Sequence, residues 1–459
     1  MNALSHSRSG SLRLNFGHRD ETLRFWRILV KRALVSCETP FYLFSIEPVR
    51  EALAELKTLD DALDRDREVG RASVLASPAI GGRRTSAKLN QASPGASPQQ
   101  QGTPIRHWLS CKTQPIRPLL QWWREQGLNI EVVSEFEFLA ARAEGFPPDR
   151  ILVNGPAKHH WLPRHAVRGL FVNFDSTAEA RALMPLAKKL HWRVGVRCLT
   201  REEFDPEDPR YPTQFGLAPN EAITLLKRLM RAGVRLEIIH THIRTNVASA
   251  ETYGRALQQM AEICRAAGFR PKYVDCGGGF PPPNVLSDDG RRYDAEFCLN
   301  QLGRVYQRAL KNFPGIQELW LENGRYLCAR SGVLVVKILD VKERRGTRQL
   351  LCDGGRTLNA LVSNWEAHEI LSLPERPGPR CLTTVCGPTC MAFDQLARRP
   401  LSCSLQPGDH LVWLGAGAYH ISWETRFSHG HARVLWHGGK KLNVVRERES
   451  FDSWWGQWR

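Results

Sequence analysis

The chain has 459 residues, of which 42% are hydrophobic and 24% charged, and its formal net charge is +17. This composition is typical of a globular protein with two or three domains. Arginine and lysine interrupt the apolar stretches, so the sequence predicts no membrane-spanning helix. The positive charge is arginine spread along the chain rather than a basic tail, which indicates a compositional bias and disfavours a nucleic-acid partner.

Twelve cysteines are scattered along the chain without CxxC pairs. In a chain of this length the pattern favours reduced thiols in the cytoplasm over a disulfide framework. It also lacks the ligand spacing of a zinc site, and we predict no metal. The first twenty residues are basic and rich in serine, but no apolar segment of a secretory signal follows them, so we expect a flexible start.

One internal segment differs in composition from the rest of the chain. Residues 64–106 are rich in Ser, Ala, Gly, Pro and Gln and show little periodicity. Such a segment buries little surface and is typical of a loop or a disordered insertion. It is either a lid, a docking arm or an insertion without function.

Between about residues 107 and 325, short apolar runs alternate with segments of helical periodicity. The eight runs that we interpret as strands are Trp108–Cys111, Ile130–Val133, Ile151–Val153, Leu170–Phe174, Val194–Cys198, Leu236–His242, Tyr273–Cys276 and Leu319–Glu322. Eight strands that alternate with helices predict a closed (β/α)8 barrel of the TIM type in an α/β protein.

After about residue 330 the pattern changes to short β-rich runs separated by Gly and Pro. These runs predict a separate C-terminal β domain over residues 331–459. Residues 1–40 are expected to belong to this β domain, to which the N-terminal segment supplies a strand. Residues 41–330 are then the barrel domain, which contains the insertion.

The residues that follow the strands of a parallel barrel gather at one end, where such barrels carry their active sites. Here they include Lys112, Asn154, Asp175, Arg197, His242, Gly277–Gly279 and Glu322, and Arg325 follows three residues later. A lysine can form a Schiff base with an aldehyde, and glycines let backbone N–H groups approach a phosphate. A carboxylate can keep a pyridine nitrogen protonated. The set predicts a site for a cofactor with an aldehyde, a phosphate and a pyridine ring.

Each of these residues also has a purely structural interpretation. The lysine can be a surface residue, the glycine triplet a tight turn, and Glu322 with Arg325 a local ion pair. His240 and His242 lie on the same side of their strand, where one imidazole can stack on a flat ring or two can bind a metal. Further along, Cys390 is a candidate proton donor and Tyr419 a candidate phosphate ligand.

In their order along the chain these motifs resemble those of the fold-type-III pyridoxal-phosphate decarboxylases, the group of diaminopimelate and ornithine decarboxylases. The motifs are the lysine after the first strand, His240-Thr241-His242, Gly277-Gly278-Gly279-Phe280-Pro281, Glu322-Asn323-Gly324-Arg325, Gly387-Pro388-Thr389-Cys390 and Gly417-Ala418-Tyr419. The resemblance implies an alanine-racemase-like architecture, pyridoxal 5'-phosphate as the cofactor, and decarboxylation of an amino acid.

The resemblance also implies roles for individual residues. Lys112 would form the Schiff base with the cofactor, and Cys390 would return a proton to the substrate Cα. The residues expected to hold the cofactor are His242, Thr245, Gly277, Gly278, Gly279, Glu322, Gly324, Arg325, Tyr419 and Arg197. The residues expected near the substrate are Asp353, Asp394 and Arg244. The family forms head-to-tail homodimers, so Cys390 and Tyr419 are expected to reach one site from different chains.

Two positions depart from the family pattern. Arg244 and Thr245 stand where glycine and serine are usual, and Met391 replaces the acid that usually follows the cysteine. In the family this acid helps to hold the distal amine of a dibasic substrate, so the sequence leaves the substrate open. The alternative hypotheses are a racemase of the same fold and a non-catalytic relative that binds pyridoxal phosphate.

Overall fold

The computed structural model of the chain describes residues 19–64, 103–203, 213–287, 289–360 and 366–458. The predicted flexible start up to residue 18 and most of the predicted insertion lie outside the described residues. Asp64 ends a helix and Ile105 begins a strand, so the boundaries predicted for the insertion overlap two regular elements. Within the described ranges, no helix is both long enough and apolar enough to cross a membrane.

Eight parallel strands form a closed barrel in chain order, and the eighth strand pairs with the first. The strands are Ile105–Ser110, Asn129–Val132, Ile151–Val153, Phe171–Phe174, Arg193–Arg197, Leu236–His240, Tyr273–Asp275 and Glu318–Asn323. Each coincides with one of the predicted runs, and the predicted fold class is confirmed. Because both faces of a parallel strand are covered, such strands are apolar along most of their length.

Helices surround the barrel and connect its strands. The longer ones are Ile46–Asp64, Arg117–Glu125, Glu135–Ala143, Thr177–Lys189, Pro219–Arg231, Ala250–Ala267 and Leu299–Leu310. Short helical segments are Cys111–Thr113, Pro148–Arg150, Lys158–His160, Leu162–His165, Arg201–Glu203, Arg325–Cys328 and Ala329–Ser331. Ser134 and Ser176 cap two of the longer helices by accepting hydrogen bonds from backbone N–H groups of the first turn.

A second sheet of nine strands forms the β domain. Its strands are Phe41–Ser45, Gly332–Arg344, Thr347–Cys352, Ile370–Leu373, Arg380–Cys386, Gln395–Ser402, His410–Trp413, Arg433–His437 and Leu442–Arg446. Helix Arg19–Leu34 packs on this sheet, and the short helices His420–Trp423 and Phe451–Gly456 lie near its end.

The N-terminal strand Phe41–Ser45 lies inside the second sheet, antiparallel to Gly332–Arg344 and parallel to Arg433–His437. The first residues that we had assigned to the barrel domain therefore pair with the β domain. A separate two-stranded sheet joins Leu286–Ser287 to Glu366–Ala367. It connects a loop of the barrel to the β domain close to the carboxyl ends of the barrel strands.

The barrel interior contains two layers of different chemistry. The apolar layer consists of Trp108, Leu152, Phe171, Ile238, Tyr273 and Trp320, which pack together. Two residues further along the same six strands stand Ser110, Asn154, Asn173, His240, Asp275 and Glu322. Alternate residues of a strand face the same side of the sheet, so this second set forms a polar layer closer to the carboxyl ends. Each residue of the polar layer is at most 5% exposed.

Candidate active site

Hydrogen bonds connect the polar layer around Glu322. Asn154 Nδ2 donates to Glu322 Oε1, while Asn173 Nδ2 donates to Asn154 Oδ1 at 3.0 Å and to Asp275 Oδ2 at 3.3 Å. Burial raises the pKa of Glu322 well above its usual range and that of Asp275 to about 7. Two buried carboxyl groups that both resist ionisation share a proton near neutral pH. The polar layer therefore holds an exchangeable proton at Glu322.

His240 completes this group, with Nε2 3.4 Å from Glu322 Oε1. Burial lowers the pKa of His240 well below its usual range, so the imidazole is neutral. Ligand atoms of His240, Asp275 and Glu322 lie within 4.8 Å of one another, a spacing that a metal ion also tolerates. The shared proton accounts for the closeness of the two carboxyl groups without an ion, and the predicted absence of a metal stays a prediction.

Lys112 lies in the short helical segment that follows the first barrel strand. Its Nζ is 3.7 Å from Glu131 Oε2, and its side chain is 38% exposed, whereas that of Glu131 is 1% exposed. Burial acts to lower the pKa of Lys112, but Glu131, Tyr419 and Glu322 raise it above its ordinary value. Ser110 Oγ donates to the same Glu131 carboxylate. The amine is thus an ammonium group at the barrel mouth, accessible and paired with a carboxylate.

The glycine triplet follows the seventh barrel strand and lies against neighbouring backbone. Gly277 and Gly279 have φ values of 63° and 91°, which favour glycine. A Cβ at position 278 would lie 2.2 Å from Glu322 O, and one at 279 would lie 2.0 Å from Arg244 O. The turn therefore excludes side chains, and its backbone can approach an anion closely.

His242 lies beside this turn, and its Nδ1 accepts a hydrogen bond from Gly278 N at 3.2 Å. Burial lowers the pKa of His242 to about 3, and the charges of Arg197 and Lys112 act in the same direction. The side chain is nevertheless 31% exposed. A neutral, partly exposed ring at this position can stack on a flat heteroaromatic group.

Arg325, Thr245 and Tyr419 meet at the same end of the barrel. Arg325 Nε donates to Thr245 Oγ1 at 3.0 Å, and Arg325 Cζ lies 4.9 Å from the centre of the Tyr419 ring. Tyr419 N donates to Thr113 O at 2.7 Å, which fixes this segment against the loop of the lysine. Arg325 Nη1 also donates to Glu366, which the sequence did not indicate as a site residue. Tyr419 therefore lies in the site of its own chain.

The remaining predicted cofactor residues have structural partners nearby. Arg197 Nη2 donates to Glu203 Oε1 at 2.8 Å, so this arginine acts on the site through its charge. A Cβ at Gly324 would lie 2.2 Å from Thr113 Oγ1, which explains the glycine. Arg244, which is expected near the substrate and not at the cofactor, donates from Nη1 to the backbone oxygen of Glu202 at 3.3 Å.

The two aspartates expected near the substrate hold loops of the β domain. Asp394 accepts hydrogen bonds from Arg356 N at 2.6 Å and from Thr389 N and Oγ1 at 3.0 and 2.6 Å. Asp353 accepts from Thr39 Oγ1 and from the backbone of the neighbouring strand. In the single chain these carboxylates therefore organise backbone, and the structure supplies a structural reason for both residues.

Cys390 is exposed in the loop between two strands of the β domain. Across the described residues, no hydrogen bond or ion pair joins this loop to Lys112. One chain by itself thus brings together the lysine, the proton-holding carboxyl group, the glycine turn and Arg325, but not the predicted proton donor.

The sequence interpretation missed Asn173, Asp275, Glu131, Glu366 and His368. Asn173 and Asp275 each stand two residues after an inward-facing aromatic residue, and this alternation was a usable signal. The other three residues become part of the site only through contacts between distant segments, for which the sequence has no local signal.

The residues at the barrel mouth fit a pyridoxal phosphate molecule. The glycine turn packs so closely on neighbouring backbone that it carries no side chain to keep a phosphate away, Arg325 supplies a cation, and Lys112 supplies an accessible amine. The proton-holding Glu322 suits a pyridine nitrogen. This closed parallel barrel and its mouth define an enzyme that uses pyridoxal phosphate.

Comparison with known proteins identifies the family. Residues 97–329 match the pyridoxal binding domain of the pyridoxal-dependent decarboxylases. A diaminopimelate decarboxylase of Deinococcus radiodurans is 30% identical over 360 residues, covering 76% of this chain and 88% of that protein. One of Actinosynnema pretiosum is 29% identical over 331 residues, covering 69% and 74%. The chain belongs to the pyridoxal-dependent decarboxylase family; it is a carboxy-lyase and its cofactor is pyridoxal phosphate.

Solved structures share the fold. Diaminopimelate decarboxylase of M. jannaschii in complex with L-lysine matches with a TM-score of 0.74 and 20% identity, covering 93% of each chain. The lysine/ornithine decarboxylase of Vibrio vulnificus matches with a TM-score of 0.68 and 16% identity, covering 91% of this chain and 99% of that one. At these identities the likeness concerns the architecture of barrel and sheet.

Proposed function

We propose that this enzyme decarboxylates its amino acid at the barrel mouth, with Lys112 and Glu322 as the central residues. The observation that carries the proposal is the arrangement of the mouth, where the amine of Lys112 is accessible beside Glu131 and a turn that excludes side chains packs on the backbone oxygen of Glu322. When bound, pyridoxal phosphate supplies an electron sink for the negative charge that remains on Cα after carbon dioxide leaves.

Each residue of the mouth has a separate task in this proposal. Lys112 binds the cofactor through Nζ, and Glu322 holds a proton at its carboxyl oxygen for the pyridine nitrogen. His242 packs its neutral ring against the flat face of the cofactor. The glycine turn, Arg325 and Tyr419 bind the phosphate dianion through N–H groups, a guanidinium and a phenol.

The assignment of Lys112 is tested by borohydride reduction of the cofactor-loaded enzyme followed by peptide mass spectrometry. We expect the reduced cofactor on Lys112, and no cofactor-modified lysine in the Lys112→Ala variant. Decarboxylation by that variant should fall by at least about 10⁴-fold, because the covalent route is lost. Labelling of another lysine in the wild-type enzyme would refute the assignment.

We further propose a homodimer with shared sites. Tyr419 already lies in the site of its own chain. Cys390 is exposed, and among the described residues no hydrogen bond or ion pair joins its loop to Lys112. The partner's Cys390 is then the group that returns a proton to Cα. The twelve free cysteines suit a reducing compartment, and we propose the cytoplasm as the location.

Shared sites are tested by mixing two impaired variants, Lys112→Ala and Cys390→Ala, and letting their subunits exchange. A mixed dimer contains one site with both intact residues, so activity should return to about a quarter of the wild-type value. Cys390→Ala alone should slow turnover yet keep its cofactor, since the thiol acts late. If exchange-competent mixtures remain inactive, the lysine and the cysteine act within one chain.

We propose a substrate other than a standard dibasic amino acid. The relatives are named diaminopimelate decarboxylases, but Met391 and Arg244 place an apolar side chain and a cation where the family has an acid and a glycine. Carbon dioxide release is measured over a panel of L- and D-amino acids that includes diaminopimelate, lysine and ornithine. Preference for one of these three would refute this substrate class, and enantiomer exchange without carbon dioxide would indicate a racemase.

A further inference from the structure

A buried chain of ionisable groups lies behind Arg325. Arg325 Nη1 donates to Glu366 Oε1, and His368 Nε2 lies 2.6 Å from Glu366 Oε2. The ring of His368 is 5.1 Å from that of His420, measured between centres. Glu366, His368 and His420 are 4%, 3% and 2% exposed. A carboxylate this deeply buried is costly unless its partners hold it well, so the arrangement needs an explanation.

The guanidinium of Arg325 is restrained from three directions. Thr245 accepts from Nε, Glu366 accepts from Nη1, and the ring of Tyr419 faces the guanidinium carbon at 4.9 Å. No described residue accepts a hydrogen bond from Nη2. The guanidinium therefore has a fixed position beside Thr245 and Tyr419, with the Nη2 donors unused among the described residues.

The carboxylate and the arginine come from different domains. Glu366 lies in the two-stranded sheet with Leu286–Ser287 and continues into the β domain, whereas Arg325 follows the last barrel strand. The pKa of Glu366 is lowered to about 2; burial opposes this shift, but His368 and Arg325 outweigh it. The carboxylate thus stays ionised, and the contact between the two domains holds the arginine in place.

We propose that Glu366, supported by His368, is a positioning residue that directs Arg325 at the cofactor phosphate. This inference rests on the proposed function, because it takes Arg325 as a phosphate ligand. Glu366 needs no contact with the cofactor or the substrate. Because Glu366 comes from the β domain and Arg325 from the barrel, the packing of the two domains then influences the affinity of the site for the phosphate.

Two effects of the carboxylate oppose each other. Its charge partly cancels that of Arg325, which weakens attraction for a dianion, but it also orders a long side chain in advance. An arginine that is already ordered loses less side-chain entropy when it binds an anion. His368 also pairs with Glu366 at 2.6 Å and shares its charge, so we expect the ordering effect to dominate.

The test compares the affinities of the cofactor-free enzyme for pyridoxal phosphate and for pyridoxal. Both affinities are measured by absorbance titration. Pyridoxal lacks the phosphate, so the ratio of the two affinities isolates the phosphate end. Glu366→Ala should lower this ratio about tenfold, the equivalent of 1.4 kcal/mol. Glu366→Gln should stay within about threefold of wild type, because its amide oxygen still accepts from Arg325 Nη1.

Two further variants separate the inference from the proposed function. Arg325→Ala should lower the ratio more than Glu366→Ala does. Asp409→Ala is the matched control, since Asp409 is a buried carboxylate that accepts two hydrogen bonds from Arg376 in the same domain, at 2.7 and 2.8 Å. Its ratio should equal that of the wild type.

The outcomes lead to different conclusions. A ratio lowered by Arg325→Ala but unchanged by Glu366→Ala would overturn the positioning role and leave the phosphate assignment intact. A ratio unchanged in both would overturn the phosphate assignment of Arg325, and a tenfold tighter Glu366→Gln variant would show that the carboxylate opposes the phosphate. If the alanine variant does not fold, Glu366→Asp should lower the ratio severalfold, because it withdraws the carboxylate but keeps its charge.

Discussion

The two layers inside the barrel differ in chemistry although they occupy the same six strands. In the apolar layer, Trp320 packs against Trp108, Phe171 and Tyr273 with ring centres 4.7 to 4.9 Å apart. Two residues further on, Glu322 lies in a layer where burial raises carboxyl pKa values and several polar atoms lack partners. The first layer gains free energy from burial, and the second loses it.

This difference indicates how the barrel divides stability from chemistry. Burying Asp275 and Glu322 side by side costs free energy that an apolar pair would not, so the polar layer depends on the packing beneath it. The same strands continue into the glycine turn and Arg325. Rigid strands therefore carry the reactive groups at fixed spacing, and the apolar layer stabilises them.

The largest expected effect comes from the apolar layer. Trp320→Ala removes a fully buried side chain and should lower the free energy of unfolding by about 3–5 kcal/mol. The remaining folded protein should bind pyridoxal phosphate with near wild-type affinity, because Trp320 lies one layer below the mouth. Chemical denaturation and cofactor titration measure the two quantities. A loss of affinity without a loss of stability would contradict the division between the layers.

The next effect comes from the polar layer, where a substitution should reduce the turnover rate and leave the stability of the fold unchanged. Glu322→Gln removes the proton-holding carboxyl group and should reduce the turnover rate by about 10²-fold, comparable to the loss of one preorganised electrostatic group. The fold should be preserved, since the amide keeps the shape and can still accept from Asn154. Single-turnover kinetics measure the chemical step, and a wild-type rate would remove the role assigned to Glu322.

The same pair of carboxyl groups predicts a pH dependence of stability. Asp275 has a folded-state pKa of about 7, against roughly 3.9 in an unfolded chain. Below about pH 4 Asp275 is protonated in both the folded and the unfolded chain, so its burial does not reduce the free energy of unfolding. As the pH rises toward 7 the unfolded chain ionises first, and the folded state loses stability. Relative to Asp275→Asn, cofactor-free wild type should lose on the order of 4 kcal/mol of unfolding free energy over this range, about 1.4 kcal/mol for each unit of pKa. Parallel profiles for the two proteins would show that folded Asp275 is already ionised at neutral pH.

Much of the fold could be predicted because its signals are local. Each barrel strand is a short apolar run, and all eight runs were found from the sequence. Helix Thr177–Lys189 forms although Pro185 lies inside it. The sequence predicted that the N-terminal segment supplies a strand to the β domain, but it assigned Phe41–Ser45 to the barrel domain, since no local signal places this strand between two strands more than 280 residues away.

The site was predictable only where its residues follow a strand directly. Lys112, His242 and Glu322 meet this condition, and the structure brings them together. Glu366 does not, because its place beside Arg325 depends on how the β domain docks on the barrel. For Asp394 the sequence offered only a motif position, and its place near the substrate stays a prediction; in the single chain its oxygens accept hydrogen bonds from Arg356 N and Thr389 N.

The smallest expected effect concerns the pairing of Lys112 with Glu131 at the upper edge of the polar layer. Because Glu131 helps to raise the pKa of Lys112, little of the amine is unprotonated near neutral pH. Glu131→Gln should lower this pKa and speed cofactor capture by the cofactor-free enzyme at pH 7 by about fivefold, with a tenfold gain for each unit of pKa.

Stopped-flow absorbance between pH 6 and about 9 measures the capture rate, since the unprotonated amine is the attacking form. The variant should be faster by a nearly constant factor over this range, because the amine stays mostly protonated in both proteins and its unprotonated fraction depends on the pKa. Glu144→Gln is the matched control, because Glu144 pairs with Arg117 on the outside of the barrel. If the capture rate does not rise, Glu131 acts on the fold of the mouth and not on the proton of Lys112.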